Sequence, residues 1–232
     1  EVTIGHDEGR ALGVPVWRSL GRFHAAGSLH GAAVAAVDDY RAAEDPDERH
    51  LWADQAEDLL SICIRHDLEE YWCRRQRGRI FADLGLPELA LPDMRRVVAD
   101  LQDEGRIDAE DFALYGHLLN TQGDHRGALP YLRRAVDAQP DLARGWSALG
   151  YALLKTAQGP AGEQALDRAL ELDPELPEAW FNRGLARYHA HRWSAAADDF
   201  ERALELAPDN RDEILPLLQQ SRGRAQRQKR DE

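Results

Sequence analysis

The chain has 232 residues, 43% of them hydrophobic, and a formal net charge of −13. This acidic balance argues against a protein whose whole surface binds nucleic acid, because such surfaces are basic. No apolar run approaches the ~20 residues that a membrane-spanning helix needs.

The N-terminal part begins with 13 residues that contain three glycines and little periodicity. That composition predicts an irregular arm, with a short strand at Val2–Ile4 as the one regular element it could form. Pro15 then stands where a helix can begin. Apolar residues at helical spacing follow in two groups, which predicts a pair of amphipathic helices over residues 14–43.

The next segment opens with a break, because Pro46 biases Asp45 away from the helical conformation. A helix is predicted from about residue 48 to residue 66 on the spacing of its apolar residues. The sequence leaves open whether this helix pairs with residues 29–43 or lacks a first-helix partner.

Two cysteines, Cys63 and Cys73, flank a turn predicted near His66. Two thiols without a paired histidine fall short of the four ligands of a zinc site. A hairpin at this turn could bring the two Cα atoms within the ~4.4–6.8 Å that a disulfide requires. We favour two free buried thiols over the disulfide, since that is the usual state of helical cysteines in a reducing compartment.

Helices predicted at residues 68–84 and 88–103 precede a pattern that recurs every 34 residues. The pattern is clearest in residues 143–176, where Trp146 and Gly150 lie on one stripe of a helix. A glycine in that stripe lets a second helix approach closely, and Pro174 ends the second helix.

The same residue types recur one period earlier and one period later in the chain. The equivalent residues are Phe112, Gly116, Ala128, Ala135 and Pro140 before, and Trp180, Gly184, Ala196, Ala203 and Pro208 after. This period and residue order resemble the tetratricopeptide repeat (TPR) family. The resemblance covers residues 109–210 closely and residues 71–104 less closely.

The resemblance implies an all-α, right-handed superhelical solenoid of antiparallel helix pairs, in which each pair buries its stripes against its neighbours. The predicted organisation is an arm (1–13), degenerate TPR-like helices (14–70), four repeats (71–104, 109–142, 143–176 and 177–210), and a capping helix with a basic tail (211–232). We expect the tail to be frayed and solvated.

No catalytic or cofactor-binding pattern is present in the sequence. A nucleophile elbow and a phosphate-binding glycine loop are both absent. His189 and His191 are two residues apart, so they would face different sides of a helix and would not form a metal pair. The sequence therefore predicts a non-enzymatic protein without a metal or another cofactor.

In proteins that resemble TPRs, one face of the first helices lines a concave groove that holds a peptide or a partner protein. Carried over to this chain, that face holds Trp72, Arg75, Arg79, His117, Asn120, Arg144, Tyr151, Lys155, Phe181, Asn182 and Tyr188. The basic side chains on this face contrast with the acidic net charge of the whole chain. We therefore expect an acidic partner segment, with arginine donating hydrogen bonds to carboxylates. An equally open alternative is that Arg75 and Arg79 pair with neighbouring carboxylates and bind nothing.

Two arginines in the last repeat, Arg183 and Arg187, occupy positions that usually hold apolar packing residues. A buried guanidinium is costly unless carboxylates or solvent satisfy it. Asp212 and Glu213 in the following helix are the predicted partners.

Two functions follow from this pattern. The leading one is a non-enzymatic scaffold that binds a peptide or partner protein through the groove. The alternative is a structural subunit of a larger assembly, including an envelope-associated or exported one, packed through its outer face or its termini. Neither function involves nucleic acid or a direct membrane span.

The compartment stays open between cytoplasm and periplasm, because a start at Glu1 is compatible with a removed leader. Lysine occurs only at positions 155 and 229, while arginine, alanine and aspartate abound. We interpret this as a coding bias and expect a bacterial source.

Overall fold

The computed structural model describes residues 29–231, and all regular structure in that range is helical. Its α-helices are α1 (Leu29–Ala42), α2 (Pro46–Arg65), α3 (Glu70–Asp83), α4 (Pro87–Asp103), α5 (Ala109–Thr121), α6 (His125–Ala138), α7 (Ala143–Lys155), α8 (Gly159–Leu172), α9 (Pro177–His189), α10 (Trp193–Leu206) and α11 (Arg211–Asp231). The predicted all-α architecture is confirmed. The predicted arm, its short strand and the first helix of the 14–43 pair lie outside the described residues.

The described residues divide into two compact units, 29–100 and 101–231. In the first unit, α1 packs against α2, which answers the pairing question that the sequence left open. Asp45 caps α2, because its side chain accepts hydrogen bonds from the N–H groups of Asp47 and Glu48. The two helices and α3 contribute to one apolar cluster that includes Val37, Leu60 and Ile80.

Cys63 and Cys73 belong to that cluster, where both are fully buried and unbridged. The prediction of two free thiols is confirmed. The thiol of Cys73 donates a hydrogen bond to the carbonyl oxygen of Leu68 at 3.3 Å. Its contact with Cys63 and its burial raise the pKa of Cys73, so this thiol stays protonated.

In the second unit, helices pair as α5–α6, α7–α8 and α9–α10, and α11 packs on α10. Trp146 and Trp180 occupy equivalent places in two successive pairs, as predicted. The indole N–H of Trp146 donates to the carbonyl oxygen of Pro140 at 2.9 Å, and that of Trp180 donates to Pro174 at 2.8 Å. Each tryptophan therefore ties its first helix to the proline that closes the preceding repeat.

Neighbouring pairs share a core in this unit. Leu166 and Ala169 of α8 cluster with Ala179 of α9, and both Trp146 and Trp180 pack against them. Burial of these side chains thus depends on the next pair along the chain. Stacking of pairs is what supplies the hydrophobic stabilisation that one hairpin lacks.

The close approach predicted at Gly150 is present between α7 and α8. A Cβ atom on Gly150 would lie 2.6 Å from Cγ of Leu166 and 3.0 Å from the carbonyl oxygen of Gly162. A Cβ atom on Gly162 would likewise lie 3.0 Å from the carbonyl oxygen of Gly150. The two glycines therefore face each other where the helices cross.

The basic tail is helical, so the prediction that it is frayed was wrong. α11 continues to Asp231, and Arg222 forms an ion pair with Glu201 of α10 at 2.7 Å. The guanidinium of Arg224 lies over the rings of Trp193 and Tyr188, at 4.5 and 5.1 Å from their centroids. These contacts hold α11 in place at residues that follow its apolar segment.

Within the described range, no helix combines the length and the apolar character of a membrane span. The same range contains no group of three or more histidine, cysteine, aspartate or glutamate side chains placed to hold a metal ion.

Candidate binding surface

The first helices of the second unit place three side chains at the ninth position of successive repeats. These are His117 on α5, Tyr151 on α7 and Leu185 on α9. His117 is exposed, and the other two are half-buried. Together with Arg144 and Lys155 they define what we call the first-helix face.

Tyr151 lies at the middle of this face, between two nitrogen-containing side chains. The ammonium of Lys155 lies 5.3 Å from the centre of its ring. The imidazole of His125 meets the same ring edge to face, with 5.4 Å between centroids. The ring is thereby held in place while part of it stays accessible, which suits an apolar anchor for a ligand.

His117 links two of the first helices electrostatically. Part of its side chain is exposed, and burial of the rest lowers its pKa. The charge of Glu178, on α9, acts in the opposite direction and raises that pKa. A residue of α5 thus lies within electrostatic reach of α9, and α7 packs against both helices.

We expect that Glu178→Gln lowers the pKa of His117 further, because the variant removes the charge that favours the imidazolium. The measurement is an NMR titration of the histidine ring protons. Asp198→Asn, which removes an exposed charge from α10, is the matched control and should leave that pKa unchanged. An unchanged His117 titration in Glu178→Gln would show that α5 and α9 do not face each other.

Arg144 and Lys155 are both exposed on α7, and neither forms an ion pair within residues 29–231. The contact of Lys155 with Tyr151 leaves its three N–H donors available. The first-helix face therefore carries two cations that no carboxylate of the described chain neutralises.

Other residues predicted for the groove contact neighbouring parts of the chain or are buried. Asn120 is 4% exposed, and its side-chain amide donates to the carbonyl oxygen of Ala148 at 3.0 Å. Asn182 is buried as well. The hydroxyl of Tyr188 donates to the side-chain oxygen of Gln220 at 2.9 Å, so α11 engages it. Phe181 is half-buried, with its ring 5.9 Å from that of Phe200.

The predicted groove residues of the first unit are also engaged. Trp72 is half-buried against the apolar cluster of that unit, and its ring meets His30 edge to face at 4.9 Å. Arg75 and Arg79 are half-buried, and each already interacts with another residue of the chain. Helix α1 supplies partners on this side, since Arg41 donates to the side-chain oxygen of Gln76 at 2.6 Å.

Two tetratricopeptide repeat family models match this chain, one over residues 116–159 and the other over residues 149–214. The chain contains tetratricopeptide repeats. No curated protein matches it.

Several solved structures share the fold of this chain. One is MamA from Desulfovibrio magneticus RS-1, with 25% sequence identity, a TM-score of 0.57, and coverage of 75% of this chain and 96% of that one. Another MamA crystal structure has 18% identity, a TM-score of 0.58, and coverage of 78% and 94%. YrrB, described as a TPR protein with an unusual peptide-binding site, has 16% identity, a TM-score of 0.58, and coverage of 82% and 92%.

The last TPR contains an ion-pair network that sequence reasoning assigned to the wrong partners. Arg183 donates to Asp199 at 2.7 and 3.1 Å and to Asp167 at 2.7 Å. Arg187 donates to Asp199 at 2.9 and 3.0 Å and to Glu163 at 3.1 Å. The partners therefore lie on α8 and α10, and the predicted pairing with Asp212 and Glu213 was wrong.

Carboxylates hold these arginines charged. Burial alone would lower the pKa of Arg183, but its hydrogen bonds to Asp199 and Asp167 outweigh burial and raise it. Glu163 also binds Arg192, and its hydrogen bonds from both arginines outweigh burial and lower the pKa of its carboxyl group. The network joins three consecutive helices with no unpaired charge.

The first unit repeats this arrangement. Arg77 donates to Asp93 at 2.7 and 2.9 Å and to the hydroxyl of Ser61 at 2.8 Å. Arg183, Asp199 and Asp167 each lie 106 residues after their counterparts, which is three 34-residue repeats plus the insertion at residues 105–108. An arginine followed by an aspartate sixteen residues later is the signal that could have revealed both pairs.

Proposed function

We propose that this TPR protein is a non-enzymatic scaffold that binds a peptide or partner protein on its first-helix face, and that the partner presents an acidic segment there. The observation that supports this proposal is that two successive first helices differ in whether carboxylates neutralise their basic side chains. On α9, Arg183 and Arg187 are neutralised by carboxylates. On α7, Arg144 and Lys155 are exposed and have no such partner in the described chain.

The chemistry of the face suits a carboxylate next to an apolar side chain. Arginine and lysine form charge-assisted hydrogen bonds with carboxylates. The accessible part of Tyr151 between them offers an aromatic anchor, the residue type that dominates interface energies. TPR proteins typically act as binding scaffolds, and YrrB shows that this fold can carry a peptide-binding site.

The test begins with a library of random peptides displayed on phage and selected on the wild-type protein. We expect that Arg144→Glu with Lys155→Glu weakens the selected peptides by at least about tenfold, since two attractions become repulsions. Binding to the wild type should weaken with added salt, because screening reduces such attractions. Fluorescence anisotropy with labelled peptides measures both effects.

The matched control is Arg126→Glu with Arg133→Glu, which reverses two exposed, unpaired arginines on the second helix α6. This control should bind the peptides as the wild type does. Equal binding by all three proteins would refute the first-helix face as the site. Loss in the α6 variant alone would instead support the alternative of a subunit packed through its outer face.

A further inference from the structure

A small cleft lies where the first-helix face meets the C-terminal helix. Its volume is about 110 Å³, and its lining consists of Pro177, Glu178 and Phe181 of α9, Ala207 and Asn210 of the connection, and Glu213 and Ile214 of α11. Sites for small-molecule ligands usually occupy ~300–1,000 Å³. A cleft of this size fits a single long side chain.

The cleft combines an apolar interior with an acidic rim. Ile214 is buried and Phe181 is half-buried, so they form its interior. Glu178 and Glu213 are exposed, and neither has an ion-pair partner within residues 29–231. A long cationic side chain fits both parts, since its methylene stem packs on apolar groups while its charged head stays near carboxylates and an aromatic ring.

Other occupants fit less well. A metal ion would need more ligands than two carboxylates, and no metal-holding group is present in the described range. The basic end of the chain's own α11 cannot reach back, because Arg227 follows Glu213 by 14 residues on one helix, about 21 Å. Phe181 precedes Leu185 by about one helical turn on α9, so the cleft adjoins the first-helix face.

We propose that this cleft receives a lysine or arginine side chain of the partner that occupies the first-helix face. The inference rests on the proposed function and extends it. The partner then carries an acidic segment opposite Arg144 and Lys155, and a basic residue opposite Glu178 and Glu213. Glu178 and Glu213 repel carboxylates, so a peptide that is acidic throughout should bind less well than a peptide with this mixed charge pattern. The cleft thereby adds specificity.

The experiment compares the wild type with Glu178→Gln plus Glu213→Gln, using the peptides selected on the wild type. Asp137→Asn plus Asp198→Asn removes the same number of exposed, unpaired charges from second helices and is the matched control. The selected peptides should share a lysine or arginine at one position. The cleft variant should bind them about tenfold more weakly, and the control should bind them as the wild type does.

A double-mutant cycle makes the test specific. Replacing the shared basic residue of a peptide with norleucine should cost the wild type about tenfold in affinity and should cost the cleft variant almost nothing. Equal losses in both proteins overturn the proposal. All altered residues are exposed, so unchanged thermal melting confirms that the folds are intact.

The outcomes separate the two proposals. Peptides that respond to the Arg144 and Lys155 reversals but lack a basic residue leave the scaffold proposal intact and overturn the cleft. A library that enriches no peptide on the wild type overturns both. Wild-type dimers that the cleft variant converts to monomers in sedimentation would assign the cleft to the basic tail of a second copy and overturn the partner proposal.

Discussion

Replacing Asp199 with alanine should lower the free energy of unfolding by about 3–5 kcal/mol, the effect of removing one member of a buried ion pair. The carboxylate is 1% exposed and accepts hydrogen bonds from both Arg183 and Arg187. Without it, two largely buried guanidinium groups compete for Asp167 and Glu163 alone. The cost comes from this residual charge more than from the lost attraction.

Equilibrium unfolding in urea measures the change. Asp198→Ala is the control, because the neighbouring residue is exposed and makes no polar contact within the described range. We expect that control to stay within about 0.5 kcal/mol of the wild type. A similarly small change in Asp199→Ala would show that the network adds no net stability.

The equivalent carboxylate of the first unit, Asp93, should behave in the same way. It is also 1% exposed and accepts hydrogen bonds from Arg74 and Arg77. Two sites at the same repeat position thus use an ion pair where other repeats hold Tyr115 with Tyr131 or Leu149 with Ala165. An ion pair thus replaces two apolar or aromatic side chains at these two repeat positions. Removing only the arginine or only the aspartate would leave a buried charge without its partner.

The sequence predicted what depends on short-range periodicity. Stripes of apolar residues, glycines at crossing points and prolines at helix ends are local patterns, so the positions of Trp146, Gly150 and Trp180 could be inferred correctly. The partners of Arg183 could not be found from proximity along the chain. They depend on which position of the second helix lies opposite the seventh position of the first, a property of packing between helices.

Exposure was harder to predict than the face on which a residue lies. Asn120 and Tyr188 lie on first helices as expected, yet Ala148 and Gln220 of following helices bind them. Whether a polar residue packs within the protein or stays available to a partner depends on the next helix. The position of a residue within its own repeat gives no information on that helix. The helical tail was missed for the same reason, since Trp193 and Glu201 anchor it from α10.

Replacing Gly150 with alanine should lower the free energy of unfolding by about 1–3 kcal/mol, the usual cost of overfilling a packed interior. The added methyl would lie 3.0 Å from the carbonyl oxygen of Gly162, a backbone atom that cannot rotate away. It would also lie 2.6 Å from Cγ of Leu166. The helices α7 and α8 would have to separate, which would disturb the core that they share with α9.

Gly223→Ala is the control that separates packing from helix propensity. Gly223 lies within α11, and a Cβ atom there would meet nothing within 4 Å. Alanine favours a helix interior over glycine by ~0.8–1.0 kcal/mol, so this variant should be more stable than the wild type. Opposite signs at the two glycines in urea unfolding would locate the cost at the crossing of α7 and α8. Stabilisation at both would show that the two helices have room to move apart.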